Sequence, residues 1–344
     1  MINRVLIVGL GSIGKRHLRL ARELLPSADI RVLRHTYTDV IPEYANGCFF
    51  KLEQALDYAP DIAVIANPAT YHMQIALAFA NRGAHLLIEK PLSATIEGVQ
   101  QLLEICNVKK IVLLTGYNLR YLSSLQRFRD LIMAGTIGNV LSVRCEIGQY
   151  LPSWRTDSDY RHGVSAQQSL GGGALLELSH ELDYLRWIFG DVEWVKATLS
   201  RQSSLDIDVE DSAHITLAFA PDGNKRQMIG TVNLDFIRHD ATRLCTAIGE
   251  GGSLRWNGLS GVVEQFEAGA KEWNEVFKSP HQRDDSYLGE WKNFIACIDE
   301  GSAPLVSGED GLKVLEIVEA ARKSSESGCQ ARIANIHSII EGQV

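Results

Sequence analysis

The sequence predicts an α/β protein in two parts: a doubly wound parallel sheet, then an α/β domain built on a mostly antiparallel sheet. Three observations predict it. Up to about residue 117, short β-branched runs alternate with longer segments of helical period, as βαβ units and a parallel sheet require. From Val140 onward the texture changes to longer strands separated by turns such as Pro221-Asp222-Gly223. The 344 residues, 45% of them hydrophobic, suffice for two sizeable cores. The division falls at 1–120 and 121–344, with the last helices able to pack back on the first domain.

In chain order, strands are predicted at 5–8, 30–33, 62–66, 86–89 and 111–115. Helices at 13–25, 71–82 and 95–106 lie between most of them, with apolar residues at three- and four-residue spacing. A helix at 121–134 stops at Gly135. The second half offers strands at 140–147, 192–201, 212–219, 227–236 and 242–250, interrupted by one helix at 173–189. Helices near 287–299 and 309–325 close the chain, which has no internal repeat or low-complexity tract.

The formal charge of -8, with both signs mixed throughout, disfavours nucleic acid as a partner. Cys48, Cys106, Cys145, Cys245, Cys297 and Cys329 are scattered and form no C-x-x-C pair, so neither a zinc site nor a disulfide framework is expected. Arg4-Val5-Leu6-Ile7-Val8 runs directly into a glycine turn and reads as a first strand, not a signal segment. No run reaches the roughly 18 apolar residues of a membrane helix. A soluble, cytoplasmic protein is expected.

Five stretches carry chemistry. Gly9-Leu10-Gly11-Ser12-Ile13-Gly14 follows a predicted strand and opens a predicted helix. Its glycines suit a tight turn, close approach to a pyrophosphate and close helix packing, with the helix N-terminus facing the anion. At the end of the second strand, where an acidic residue would bind the ribose hydroxyls of NAD, the chain offers Arg34 and His35. Cations there suit a 2′-phosphate, so NADP is preferred over NAD. Next, Ala84-His85-Leu86-Leu87-Ile88-Glu89-Lys90-Pro91 reads as a buried strand ending in a carboxylate, an amine and a proline. Strand carboxyl ends face the ligand crevice of an open parallel sheet, so Lys90 is a candidate for chemistry; a solvated surface lysine is the alternative.

The fourth stretch begins at Gly171-Gly172-Gly173. On one continuous helix, Leu175, Leu178, Leu182, Leu185 and Phe189 form a stripe, while Glu177, His180 and Tyr184 group on another side. A carboxylate one turn from a histidine can orient it as a general base. The alternative is a histidine satisfied by Glu177 or Asp183 with no substrate near. Glu177-x-x-His180 has the spacing of half a carboxylate-bridged metal site, but one copy is present, so no metal is expected. Lastly, the loop holding Trp154, Arg155, Tyr160 and Arg161 combines aromatics with fixed cations. That composition suits stacking on a sugar or base and binding of a carboxylate or phosphate; structural packing or an oligomer contact is the alternative.

Taken in order, the Gly9 to Gly14 turn, Asn67-Pro68 with His72, Glu89-Lys90-Pro91, Asn118-x-Arg120 and the glycines leading to His180-Glu181-Leu182-Asp183 resemble the motifs of the Gfo/Idh/MocA family. Its namesakes are glucose-fructose oxidoreductase, inositol dehydrogenase and a rhizopine-catabolism protein. The resemblance implies an N-terminal Rossmann domain and a C-terminal α/β domain with a large, open, mostly antiparallel sheet. That sheet would serve a homo-oligomer, dimer or tetramer. The activity implied is NAD(P)-dependent hydride transfer at a secondary alcohol or ketone of a sugar, cyclitol or sugar derivative, with anionic and nucleotide-linked sugars included.

These motifs assign the dinucleotide to Gly9, Gly11, Ser12, Ile13, Gly14, Asn67, His72, Glu89 and Lys90, which Arg34 and His35 join from the strand-end reading, and the substrate to Asn118, Arg120 and Asp183, which Trp154, Arg155, Tyr160 and Arg161 join on loop composition. Lys90 would hold the reacting hydroxyl while His180 takes its proton. A cation beside an oxygen gaining charge favours the transition state over the ground state. Many members carry an Asp four residues before the histidine; here that position is Leu176, and Glu177 is expected to replace it. A cofactor-recycling glycosidase and a non-catalytic dinucleotide and sugar sensor are the competing functions.

Overall fold

The computed structural model describes residues 2–154, 159–221, 223, 226–279 and 284–333. The first half contains β1 (Arg4–Val8), α1 (Ser12–Leu24), β2 (Asp29–Leu33), β3 (Gly47–Phe49), α2 (Leu52–Asp57), β4 (Ile62–Ile65), α3 (His72–Asn81), β5 (His85–Glu89), α4 (Val99–Lys109) and β6 (Leu113–Gly116). There follow α5 (Ser123–Met133), β7 (Val140–Gly148), α6 (Ala174–Glu177), α7 (His180–Phe189), β8 (Val192–Ser200), β9 (Ser212–Phe219), β10 (Ile229–Asp235), β11 (Thr242–Gly249), β12 (Gly252–Asn257), β13 (Val262–Glu267), β14 (Asn274–Lys278), α8 (Asp285–Glu300), α9 (Gly308–Ser327) and β15 (Ala331–Arg332). The chain divides into two compact units: the segment up to Asn118 with Tyr287–Leu315, and Leu119–Ser286 with the segment from Glu316 onward.

In the first unit the strands pair in parallel in the order β3-β2-β1-β4-β5-β6. The order reverses between β1 and β4, which opens a crevice at the carboxyl ends of those strands. β4 is buried along its whole length and β1 from Val5 on, because helices cover both faces; their sequences are therefore unbroken apolar runs without alternation. Trp291, Phe294 and Cys297 of α8 pack into the same core as Val5, Ile7, Ile30, Val32 and Val64. The strand expected at 111–115 is displaced to β6, and the helix expected at 95–106 begins only at Val99. Its start is set by Gly98, at φ +74, where a side chain would also press on Met73. The short elements β3 and α2 lack a readable period and were not anticipated.

The second unit is organised on a nine-stranded sheet of order β14-β13-β12-β11-β7-β10-β9-β8-β15. Only β10 with β7 is parallel; the other neighbours run antiparallel. The sheet is larger than expected, since β12, β13, β14 and β15 add to the five strands read from the sequence. The last turn of α9 docks on β8: backbone N–H groups of Ala197 and Leu199 donate to the hydroxyls of Ser324 and Ser325. One expectation fails. The helix at 173–189 is two helices, α6 and α7, parted at Leu178, whose φ of -100 and ψ of 21 leave the helical path, and Ser179, the N-cap of α7. There the backbone tightens, Glu181 N–H donating to the Leu178 carbonyl three residues back.

Candidate active site

The glycine turn joins β1 to α1 at the crevice. Gly9 sits at φ +88, and a Cβ there would meet the Ala66 and Asn67 backbone at 2.9 Å. A Cβ on Gly14 would run into the Gly9 carbonyl, whereas one on Gly11 would meet nothing within 4 Å. So two glycines serve close packing of strand, turn and helix, and the middle one faces open space. Gly11 is also the N-cap of α1 and brings no capping side chain. Uncapped N–H groups at a helix start facing open space fit the pyrophosphate of a dinucleotide. Ser12 is exposed and Ile13 half-buried beside them. Arg34 and His35 follow β2 directly, with Arg34 half-buried and His35 exposed.

β5 carries Glu89 and Lys90 to the carboxyl edge of the sheet, and the Lys90–Pro91 bond is cis. Lys90 is half-buried, while Glu89 is buried and accepts two hydrogen bonds. The Lys90 backbone N–H donates to its Oε2 at 3.1 Å, and His17 Nε2 approaches its Oε1 at 2.7 Å. His72, fully buried at the start of α3, spans the carbonyl oxygens of Asn67 at 2.7 Å and Pro91 at 3.0 Å. Burial pushes its pKa below the ordinary histidine range, against the pull of those carbonyls and of Glu89. A neutral imidazole has one N–H, so His72 donates to one of these carbonyls and abuts the other, lying between the loop after β4 and the peptide just beyond Lys90. Asn118, also buried, opens a short 3-10 turn after β6.

In the second unit the triple glycine has a packing cause. A Cβ on Gly172 would strike the carbonyls of Val164, Ser165 and Gln167, and one on Gly173, at φ +108, the carboxylate of Glu210. Glu210 in turn accepts from the Leu175 N–H at 2.9 Å, and burial raises its pKa. Glu177 closes α6 and His180 opens α7, both half-buried. Ser165 Oγ donates to Glu177 Oε2 at 2.7 Å, so the carboxylate is held from the preceding loop. Tyr184, expected on the polar side with Glu177 and His180, is instead fully buried with its hydroxyl 3.0 Å from Cys145 Sγ. Tyr184 stays one turn beyond His180 on α7, its ring edge-on to Trp256, and the break separates only Glu177 from that helix.

Arg120 and Asp183 meet each other in a buried bidentate pair, Nε and Nη2 donating at 2.9 and 2.5 Å. Burial raises the Asp183 carboxyl pKa and Arg120 opposes the rise. The guanidinium also lies 5.5 Å from the Trp187 ring. In the loop, Trp154 Nε1 donates to the Gln149 carbonyl and its ring meets Phe236 edge-on. Tyr160 accepts at its hydroxyl from the Asp206 N–H, and Arg161 grips Asp159. Arg161 holds the exposed Asp159 carboxyl down to about 2. Arg155 lies outside the described residues. Sequence patterns gave no sign of Ser165 or Glu210, nor of His17, Trp291 and Glu290 around Glu89, because each partner lies far away in the chain. Among the described residues no helix is long and apolar enough to cross a membrane.

Both units match family models. Residues 3–117 match the model described as "Oxidoreductase family, NAD-binding Rossmann fold", and 129–333 the one described as "Oxidoreductase family, C-terminal alpha/beta domain". A myo-inositol 2-dehydrogenase of Thermotoga maritima is 26% identical, covering 97% of this chain and 99% of its own. A scyllo-inositol 2-dehydrogenase (NADP(+)) of Bacillus subtilis is 24% identical over 78% of each chain. Among solved structures, the WlbA dehydrogenase of Bordetella pertussis in complex with NADH and UDP-GlcNAcA superposes with a TM-score of 0.78 at 22% identity, covering 96% of this chain and 99% of that one. With both domain models matched in order along nearly all of its length, the chain belongs to the Gfo/Idh/MocA family and is an NAD(P)-dependent oxidoreductase built from a Rossmann domain and the family's C-terminal α/β domain.

Proposed function

We propose that the protein is a dehydrogenase or reductase acting on a secondary alcohol or ketone of a sugar, cyclitol or sugar derivative, with Lys90 and His180 as its catalytic residues. The observation that carries this is the seat of Lys90. A lysine projects from the carboxyl end of a buried strand in the sheet that also carries the glycine turn, and its peptide is held by Glu89 and, one residue on, by His72. Relatives named as inositol dehydrogenases support the substrate class, and a similar structure holding a nucleotide-linked sugar acid keeps such sugars within it.

When bound, the dinucleotide supplies the hydride acceptor or donor. The Lys90 ammonium donates to the reacting oxygen and stabilises its developing negative charge; His180 takes the hydroxyl proton, oriented by Glu177 in place of the aspartate absent at Leu176. Arg34 and His35 favour NADP through its 2′-phosphate, with NAD the alternative. His72 acts by holding the Asn67 and Pro91 loops, and Arg120 with Asp183 by fixing α7 behind His180. In this arrangement residues 1–120 take the dinucleotide; 121–344 take the substrate and, through the large sheet, a second copy of the chain in a cytoplasmic dimer or tetramer.

A thermal-shift screen of NADP and NAD with cyclitols, sugars, sugar acids and nucleotide sugars tests this, because a ligand of the native state raises its melting temperature. Hits are then followed by reduced-nicotinamide absorbance. Turnover with one panel alcohol, lost in Lys90→Met, supports the proposal; a Lys90→Met enzyme with wild-type turnover ends it.

A further inference from the structure

Behind the Lys90 peptide lies a cluster that hydride transfer does not use. Glu290 of α8 is 0% exposed, and neither carboxyl oxygen finds a hydrogen-bond partner among the described residues. One oxygen each of Glu290 and Glu89 and a ring nitrogen of His17 lie within 4.8 Å of one another. Two buried carboxyls so close cannot both be ionised without a cation.

The neighbours decide what stands between them. Trp291 Nε1, which can only donate, donates to His17 Nδ1 at 2.9 Å. That bond fixes the imidazole as the tautomer protonated on Nε2, which donates to Glu89. The nitrogen facing the carboxyls therefore carries a proton and has no lone pair for a metal. Glu89 accepts this bond and the Lys90 N–H. Among the described residues Glu290 accepts none. Three other titratable groups surround the cluster: His72 of α3, which feels the charge of Glu89, Tyr287 of α8, which feels both carboxyls, and Arg16 of α1, whose guanidinium is taken up by Tyr287, 4.6 Å from its ring.

We propose that Glu290 is held as a neutral carboxylic acid that shares its proton with Glu89, making the pair a positioning device for the peptide that carries Lys90. The pair then bears one negative charge, and the proton keeps Glu89 drawn back under the strand end. Desolvation, and next the charge of Glu89, push the Glu290 pKa well above the ordinary glutamate range. A carboxyl with a raised pKa in the folded protein adds stability that is complete below its unfolded pKa of about 4.3 and is lost as pH rises toward the folded value. The positioning role rests on the catalytic assignment of Lys90 above; the protonation state does not.

The test uses the full chain as Glu290→Gln, Glu290→Leu and Lys90→Met. At pH 7 the infrared difference between wild type and Glu290→Gln should contain the carbonyl stretch of a protonated carboxylic acid. Glu290→Gln should match or exceed wild-type stability, its advantage in the unfolding equilibrium growing about tenfold per pH unit above pH 6 until Glu290 ionises. On the panel alcohol that is turned over, Glu290→Gln, which still offers a donor to Glu89, should keep kcat; Glu290→Leu, of similar volume without a donor, should lower kcat about tenfold at unchanged KM. No acid band, or a Glu290→Gln protein less stable than wild type by the same margin at every pH, overturns the proton. Stabilisation of wild type, but not of Glu290→Gln, by added Zn²⁺ or Mg²⁺ would replace the proton with a metal. A Glu290→Leu enzyme with wild-type kcat overturns the positioning role alone. An active Lys90→Met enzyme overturns the Lys90 assignment and the positioning role with it, leaving the infrared result to judge the proton.

Discussion

A lysine at a strand end and a histidine at a helix start are common; here both are half-buried, and the Lys90 peptide is held by Glu89. If they act as proposed, Lys90→Met should lower kcat by about 10²–10³ with dinucleotide binding intact, since a donor aimed at a developing alkoxide contributes mainly in the transition state. His180→Asn should lower kcat by about 10²–10⁴ and flatten the pH profile, as expected for loss of a general base. The glycine turn separates binding from folding at single-residue resolution. Gly14→Ala drives a methyl into the Gly9 carbonyl and should cost about 1–3 kcal/mol in denaturant titration. Gly11→Ala meets open space, so its melting temperature should stay at wild type while NADP affinity falls. The hexapeptide predicts a tight turn, an approach to the pyrophosphate and close helix packing; the atoms around each glycine put Gly9 and Gly14 against backbone and leave Gly11 facing open space.

At the scale of elements, the interruption between α6 and α7 is the feature that periodicity misjudged. Apolar spacing supports one helix, but Gly172 and Gly173 are pinned against loop carbonyls and Glu210, and the chain turns at Leu178 and Ser179 before α7 can pack. Once α7 is in place, Glu181, Leu182, Asp183, Tyr184 and Leu185 are all buried, a pattern of a helix enclosed on more than one side. Its charged members are therefore paired: Arg243 Nε donates to Glu181 at 2.8 Å, and Arg120 holds Asp183. Removing one partner strands a buried charge, so Arg120→Ala should cost about 3–5 kcal/mol. The double variant Arg120→Met with Asp183→Leu should recover most of that loss, as read by urea unfolding. Recovery would mark the pair as structural; turnover lost in a double variant of wild-type stability would instead give it a part in substrate binding.

At the scale of the molecule, the first unit is discontinuous. Trp291 and Phe294 come from α8, over 160 residues beyond β6, yet both are 0% exposed in the core beside Val5, Ile7 and Val32. The Thr115 N–H donates to the Val306 carbonyl and its hydroxyl to the Ser307 carbonyl, extending β6 with late chain. A fragment of residues 1–118 should thus expose an apolar face and bind a hydrophobic dye without a cooperative melt. Fusing residues 285–315 to it through a flexible linker should restore the melt. Full cooperativity in the shorter fragment would show that α8 only covers a core complete without it.

The sequence by itself determined the parallel order of βαβ units, the glycine turn between β1 and α1, the antiparallel character of the second half and the place of Lys90 at a strand end. These depend on local period, on glycines at fixed offsets and on short motifs, all of which neighbouring residues express. The tertiary structure decided the extent of the nine-stranded sheet, the break before His180, the inward turn of Tyr184, the pairing of Arg120 with Asp183, and the meeting of His17, Glu89 and Glu290. Each of these depends on which distant groups share a space too dry to leave a charge or a donor unanswered, and that is a property of packing, which no window of sequence contains.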